Sequence, residues 1–412
     1  MKVVVCNLGC KVNKYECDCL MRAFAEKGHE VSDKLGYADL FVINTCAVTS
    51  EAERKSRQCV ARCLKYNGDA KVVVMGCASQ NDPKFFEKAA GVTFVTGVEG
   101  KQFAAEKFGE KLTSILPLPL VFTPPTRPLP QRTRAFVKVQ DGCDNFCSYC
   151  LIPYLRGRSR SRSLEEIVCE IGELAPHTGE IVLTGIDLSS YGKKEGGSLT
   201  GLLCALSGVK VRLRLGSLEA SVIDEGFLSA LKGLKNFCPQ FHLSLQSGSS
   251  KVLKSMNRHY TGEEYEKKVR LIREFFPRAG ITTDIICGFP TEDEEQFRLS
   301  LELLERVGFS RVHVFGYSPR KGTAAAKLFK PLPPEVVKER VARAEETARR
   351  LAEKYINSLK GERLSVLLEE EKEGYFVGWS GEYVRCYVRS GRQNEEINVA
   401  AKQPFKDGVL CE

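Results

Sequence analysis

Short β-branched apolar runs, separated by charged helix-like segments, recur along most of the chain. In residues 1–116 they are Lys2–Val5, Leu40–Asn44, Val72–Met75 and Val92–Val95. Strand–helix alternation argues for a parallel sheet, so this part predicts a Rossmann-like α/β domain. From Ala135 to about Lys360 the runs are Ala135–Val139, Glu180–Thr184, Lys210–Leu215, Phe241–Leu245, Thr282–Ile286 and Val312–Phe315. Their spacing fits repeated βα units and predicts a partial (β/α)6 barrel. After Gly361 the pattern changes to Leu364–Leu368, Tyr375–Trp379, Tyr383–Val388 and Ile397–Val399, punctuated by glycines. That predicts a small antiparallel β-barrel. The fold class is therefore α/β with an all-β tail.

Between the first two regions lie Pro117, Pro119, Pro124, Pro125, Pro128 and Pro130. Proline blocks helices and most sheet positions, so 117–134 reads as an extended linker. The division expected is 1–116, 117–134, 135–360 and 361–412.

Length and charge sharpen this picture only slightly. A chain of 412 residues with 43% apolar and 27% charged residues can bury a real core. The net charge of +9 hints at a polyanionic partner. Seventeen cysteines in so long a chain do not fit a secreted disulfide framework, and metal binding in a reducing compartment reads better. The apolar start ends at Cys6, too soon for a signal peptide, and no run approaches the ~18 apolar residues of a membrane span. The expected location is cytoplasmic, with no membrane partner.

Chemistry concentrates in Cys143-Asp-Asn-Phe-Cys147-Ser-Tyr-Cys150, a C-x₃-C-x₂-C loop leaving the run Ala135–Val139. Thiolates suit iron–sulfur clusters or zinc. Structural zinc wants four closed ligands, whereas three thiolates leave one iron of a four-iron cluster open. Three more cysteines, Cys10, Cys46 and Cys77, fall at or just past the first domain's strands. Neighbouring ends of a parallel sheet could bring them together. The bland readings are a zinc loop and scattered core cysteines. Cys59 and Cys63, four apart on a helix, could share a face, and Cys6, Cys17 and Cys19 show no pattern. Arg156, Arg158, Arg160 and Arg162 alternate just after the loop. They read either as an extended, solvent-facing row or as a rim that contacts phosphates.

The cysteine loop resembles that of the radical S-adenosylmethionine (SAM) superfamily. With Leu245-Gln-Ser-Gly-Ser249, Met256-Asn-Arg-His-Tyr-Thr261, Asp284-Ile-Ile-Cys-Gly-Phe-Pro-Thr-Glu292 and the motifs around Cys10, Cys46 and Cys77, the chain is similar to the methylthiotransferase family. Gln140-Asp-Gly-Cys143, Thr184-Gly-Ile-Asp-Leu-Ser-Ser-Tyr191 and Arg54-Lys-Ser-Arg57 resemble its MtaB-type branch. The resemblance implies replacement of the C2 hydrogen of N6-threonylcarbamoyladenosine-37 in tRNA by a methylthio group. It implies two [4Fe–4S] clusters, one on Cys143, Cys147 and Cys150, the other on Cys10, Cys46 and Cys77. SAM would act both as methyl donor and as radical source. The tail sits where the family carries its RNA-binding TRAM domain, yet it has seven Lys/Arg against ten Asp/Glu.

Gly185 and Asp187, with Ser217, Glu219, Gln246 and Arg258 on later loops, are candidates for holding SAM or substrate. Arg320 is a candidate substrate contact, its alternative being an exposed surface arginine. Phe146 and Tyr149 read as packing around the cluster, and Tyr375, Phe376 and Trp379 as core of the tail. Implied partners are a tRNA anticodon stem-loop and a reductant such as flavodoxin or ferredoxin. The competing expectations are methylthiolation of isopentenyladenosine-37 or of a ribosomal-protein aspartate, and a cluster-bearing redox sensor that binds nucleic acid without turning over SAM.

Overall fold

The computed structural model describes residues 1–122, 127–128 and 133–412. Pro124, Pro125 and Pro130 of the expected linker lie outside the described residues. Among the described residues no helix is long and apolar enough to cross a membrane.

The first sheet is parallel, in the order Glu30–Ser32, Lys2–Asn7, Leu40–Thr45, Lys71–Gly76, Val92–Thr96 and Leu112–Ser114. The four inner strands are the apolar runs seen in the sequence. The two short edge strands carry too little apolar signal to stand out. Val4, Phe41, Ile43, Val72 and Val74 pack on one face, and Val3, Val5, Leu40, Val42, Val73 and Met75 on the other. Burial on both faces is why these strands read as unbroken apolar runs. The chain order reverses between Lys2–Asn7 and Leu40–Thr45, the switch point at which ligands collect in such sheets.

Seven parallel strands follow in two sheets, Arg212–Leu215 and Ser217–Leu218 being one run interrupted at Gly216. One has the order Arg212–Leu215, Glu180–Thr184, Arg134–Lys138. The other runs from Ser217–Leu218 through Gln240–Leu243 and Gly280–Cys287 to Arg311–Gly316. A parallel bridge between Leu213 and Phe237 joins them. Odd positions such as Val137, Ile181, Leu183, Leu213, Leu215, Phe241 and Leu243 form the main core beneath the surrounding helices. The alternate positions face inward. The helix Lys11–Glu26 packs along Arg134–Lys138 beside the barrel's open edge.

The tail closes into a barrel of Arg363–Lys372, Tyr375–Ser380, Arg385–Val388, Gly408–Cys411 and Glu396–Phe405. It departs from the antiparallel expectation at one seam, because Arg385–Val388 and Gly408–Cys411 pair parallel. Of the three aromatics expected in its core, only Phe376 packs there. Tyr375 joins Tyr387 and Phe405 in a separate cluster, and Trp379 stacks on Tyr383 with centroids 4.4 Å apart.

Glu180 binds this tail to the barrel. It is fully buried and receives Arg214 through two bonds of 2.9 Å and Arg134 at 2.5 Å, with Arg212 at 3.3 Å. The arginines use their remaining donors on the tail. Arg214 donates to the carbonyls of Ser380 and Gly381, and Arg212 to those of Ser365 and Trp379.

Candidate active site

Each of the first three cysteines sits just past the end of a neighbouring strand. Cys10 caps the helix Lys11–Glu26, Cys46 follows Leu40–Thr45, and Cys77 opens the helix Cys77–Asn81. The turn into Cys77 requires Gly76, whose φ is +106° and whose added Cβ would lie 2.7 Å from the Thr45 carbonyl oxygen. Asn13, buried beneath, donates through Nδ2 to the Thr45 carbonyl at 3.0 Å.

The second trio lies on the loop after Arg134–Lys138. That loop is closed by the antiparallel pair Gln140–Asp141 and Arg160–Ser161, and Cys143 N–H donates to the Gly157 carbonyl at 3.1 Å. Gly142 has φ of +72° and passes so close to Arg158 that a Cβ would stand 2.0 Å from its carbonyl oxygen.

A cavity of about 590 Å³ is lined by Cys10, Cys46 and Cys77 on one side and by Gly185, Ser217 and the inward face of the barrel on the other. Cys10 presents accessible surface and lines this cavity, yet it is enclosed deeply enough that burial raises its thiol above the ordinary value. Burial pushes Cys46 up to about 11 and Cys150 to about 12, and raises Cys143 further. Thiols in such surroundings become good ligands when a metal's own charge holds them deprotonated.

Every one of the six sulfurs has a nearby N–H group. The backbone N–H of Asn13 faces Cys10, and that of Val48 faces Cys46. Asn145 N–H donates to Cys143 Sγ at 3.5 Å and Ile152 N–H to Cys150 Sγ at 3.4 Å. Arginines serve the other two, with Arg156 Nε 3.4 Å from Cys77 Sγ and Arg258 Nη1 3.4 Å from Cys147 Sγ. Donors aimed at sulfur suit thiolates bound to iron, so these residues fit iron–sulfur clusters.

Arg156 links the two trios. Fully buried, it donates through Nη2 to Asn13 Oδ1 at 2.6 Å, and Nη1 lies 3.1 Å from both Glu16 and Asp141. Lys138 bridges the same carboxylates at 3.0 and 2.6 Å, and Lys101 also pairs with Glu16. Burial alone would raise the Glu16 carboxyl, but Arg156, Lys101 and Lys138 outweigh it and hold it well below the usual carboxylate range.

This overturns the picture of a solvent-facing arginine row. Arg156, Arg160 and Arg162 are buried at 0%, 4% and 5% exposure, and only Arg158 reaches solvent. Arg160 pairs with Asp141 at 3.3 Å and Arg162 with Glu170 at 2.9 Å. The four never share one extended segment: Arg156 ends the helix Ile152–Arg156 and Arg160 opens the short strand Arg160–Ser161, so alternation did not set their directions. Arg320 likewise is no exposed arginine. It is buried against the first domain, pairing with Glu53 and donating to Ser50 Oγ at 3.1 Å.

Other candidate residues divide into two groups. Gly185 and Ser217 line the cavity, and a Cβ on Gly185 would come 2.8 Å from Gln140 Oε1. Asp187, Glu219 and Arg258 flank the barrel's cysteine loop. Asn145 Nδ2 donates to Asp187 at 3.3 Å, and Arg258 pairs with Glu219. Burial, aided by Glu219, raises the Asp187 carboxyl to about 6. Gln246 is not on the cavity wall; its backbone, at φ of +70°, bonds to the strand Gly280–Cys287. Phe146 lies under the Arg158 guanidinium at 4.4 Å, and Tyr149 packs against Val252, Met256 and Phe289.

Sequence reasoning missed one cluster outright and, of a second, anticipated the shared face of Cys59 and Cys63 but not Cys6. His242, Asp284 and His313 converge on the cavity wall from three adjacent strands. Their spacing at alternate strand positions was available in the sequence, but the register between strands was not. Cys6 joins Cys59 and Cys63 in the first domain's core, with sulfurs 3.9 and 4.0 Å apart.

A partial parallel barrel with three cysteines on its first strand-end loop defines a radical SAM protein. Residues 137–304 match the radical SAM superfamily, and residues 2–97 match an uncharacterized protein family, UPF0004. The structure of the radical S-adenosylmethionine methyltransferase TsrM from Kitasatospora setae, with cobalamin and a [4Fe–4S] cluster bound, shares the fold. Its TM-score is 0.57 at 16% identity, over 79% of this chain and 77% of that one. Threonylcarbamoyladenosine tRNA methylthiotransferase MtaB of Aquifex aeolicus is 38% identical over 90% of this chain and 93% of its own length. The MtaB of Bacillus subtilis is 35% identical, over 93% and 89%.

The chain belongs to the MtaB-type radical SAM methylthiotransferases. As for the radical SAM superfamily it matches, its cofactors are iron–sulfur clusters and SAM.

Proposed function

We propose that this chain inserts a methylthio group at C2 of N6-threonylcarbamoyladenosine-37 in the tRNA anticodon stem-loop, using two [4Fe–4S] clusters. A reductant such as flavodoxin or ferredoxin would supply electrons. The relatives' names point to the substrate. The observation that carries the two-cluster reading is the meeting of Cys10, Cys46 and Cys77 with the barrel interior in one cavity, and the wiring of Cys77 to the barrel's cysteine loop through Arg156.

Cys143, Cys147 and Cys150 would hold the cluster that serves SAM, and Cys10, Cys46 and Cys77 the second. When bound, these groups supply the one-electron chemistry that an aromatic C–H bond requires, since that hydrogen is not acidic enough for a side-chain base. The protein's part is to position and shield. Gly185 makes room for Gln140, whose Oε1 accepts from Asp187 N–H at 2.8 Å and so holds the loop that carries Asp187. Asp187, Glu219 and Arg258 offer a carboxyl, a carboxylate and a guanidinium at the flank of the SAM-side loop, complementary to an amino acid's ammonium and carboxylate. Gln246 would act through its backbone, orienting the loop after Gln240–Leu243.

Anaerobic reconstitution followed by incubation with SAM, reductant and threonylcarbamoylated tRNA tests this. The expected product in nucleoside digests is the 2-methylthio derivative, with about eight irons per chain if both clusters are of the four-iron type. Cys46→Ala should halve the iron and abolish the product while 5′-deoxyadenosine still forms. Four irons in the fully loaded wild type would end the two-cluster reading.

A further inference from the structure

Resting on that reading, we propose that Lys11 and Arg311 form the site that recognises the substrate's threonyl carboxylate, and so set the choice of modified adenosine.

Five cations line the cavity, and an accounting of their partners separates two from the rest. Arg156 is taken by Glu16 and Asp141, Arg134 by Glu180 and Glu369, and Arg214 by Glu180 and two tail carbonyls. Among the described residues, Lys11 and Arg311 have no ion pair and no side-chain hydrogen bond. Both lie within electrostatic reach of His313, as do His242 and Asp284, so the group forms one patch. Among the described residues Asp284 is the only carboxylate on the cavity wall, and it is already bonded to His242 Nε2 at 3.2 Å. Lys11 and Arg311 expose their side chains on one cavity wall without a protein counter-charge, which marks a place for an anion.

The anion that fits is a small one. A cavity of about 590 Å³ is suited to one extruded, modified base rather than to a stretch of phosphodiester backbone. An N6-threonylcarbamoyl group carries a carboxylate and a hydroxyl, and Gln240, Thr282 and His242, bonded to one another, give the same wall a polar character. An isopentenyl group carries neither. It would leave both cations without a counter-charge, which is how a polar site discriminates against an apolar analogue. The SAM carboxylate is the rival anion, and the SAM affinity of the same variants separates the two.

Binding of anticodon stem-loops to the reconstituted holoenzyme tests the assignment. The stem-loops carry adenosine, threonylcarbamoyladenosine, or its carboxamide analogue at the target position. Wild type should prefer the carboxylate form over both others. Lys11→Met and Arg311→Met should each reduce that preference by roughly 10–100-fold, the range of one charge-assisted hydrogen bond, and leave adenosine binding unchanged. Lys11→Arg and Arg311→Lys should retain most of it. Unchanged preference in the double variant overturns the proposal. So does an equal loss of adenosine binding, because the cations would then serve the backbone or the fold. Weakened SAM binding with the preference intact assigns the pair to SAM and also overturns it. A wild type that methylthiolates isopentenyladenosine and ignores the carboxylate form would instead refute the functional reading beneath it.

Discussion

Glu16 and Glu180 are both buried carboxylates, each ringed by three cations. Glu180 sits at the start of the barrel's second strand, and the spare donors of its arginines end on carbonyls of the tail. Glu16 lies on the helix against the barrel's first strand, and its partner Arg156 has a donor on the sulfur of Cys77. The same electrostatic device thus docks a domain in one place and sets the charge beside a thiolate in the other. What separates them is where the leftover donors point. Donors that end on backbone oxygen make a joint, and donors that end on sulfur reach the chemistry.

Removing the carboxylate tests the joint most severely. Glu180→Gln leaves Arg214 without its charge partner in a site that excludes water, at a cost of about 3–5 kcal/mol. The effect should appear as faster amide exchange in residues 363–367 and 378–384, where the tail meets the arginines. Acid provides a second probe. Burial would raise the Glu180 carboxyl, but Arg214, Arg134 and Arg212 hold it well below the ordinary value. Its contribution is therefore complete above the unfolded value of about 4.3 and declines as pH falls toward the folded one. Wild-type exchange in these segments should accelerate on acidification in that window, and the glutamine variant should have lost this component.

Glu16→Gln should cost less, about 1–3 kcal/mol, because Asp141 remains as a partner for Arg156 and Lys138. Urea unfolding of the cluster-free chain measures it. A loss equal to that of Glu180→Gln would show that Asp141 does not substitute, and that the upper network is as rigid a joint as the lower.

Arg156→Met isolates the donor on sulfur. A charge-assisted hydrogen bond of roughly 1.5–2 kcal/mol corresponds to a shift on the order of 60–85 mV for one electron. The second cluster proposed on Cys10, Cys46 and Cys77 should become harder to reduce by about that amount, followed by paramagnetic resonance in a redox titration. An unmoved potential would make Arg156 a joint like Arg214.

The sequence disclosed the strands and both cysteine trios, because each trio follows apolar runs whose neighbours in a parallel sheet can be anticipated. Inward and outward positions of the barrel could also be read from alternation. The two carboxylate networks could not. Glu16 meets Lys101, Lys138 and Arg156 across separations that only tertiary packing closes, so nothing local announces a buried charge. Arg320 shows the same limit, since its partner Glu53 lies in another domain. The parallel seam in the tail escaped because Gly408–Cys411 is too short to show its partner or direction.

The smallest effect concerns Arg158, the exposed member of the arginine row. Its side chain is 65% exposed, 3.5 Å from Asp144, with the guanidinium over Phe146. Arg158→Ala should change stability by no more than about 0.5–1 kcal/mol, the range of an exposed cation–π contact. If this arginine touches a phosphate, tRNA affinity should fall severalfold for every anticodon sequence alike, and the dependence of log K on log salt should flatten by ~1. That pairing of a weak stability effect with a uniform, salt-linked loss of binding distinguishes an exposed rim from either buried network. An unchanged salt slope would reduce Arg158 to the clamp on Phe146 that its stacking already describes, and would leave no member of the row available to RNA.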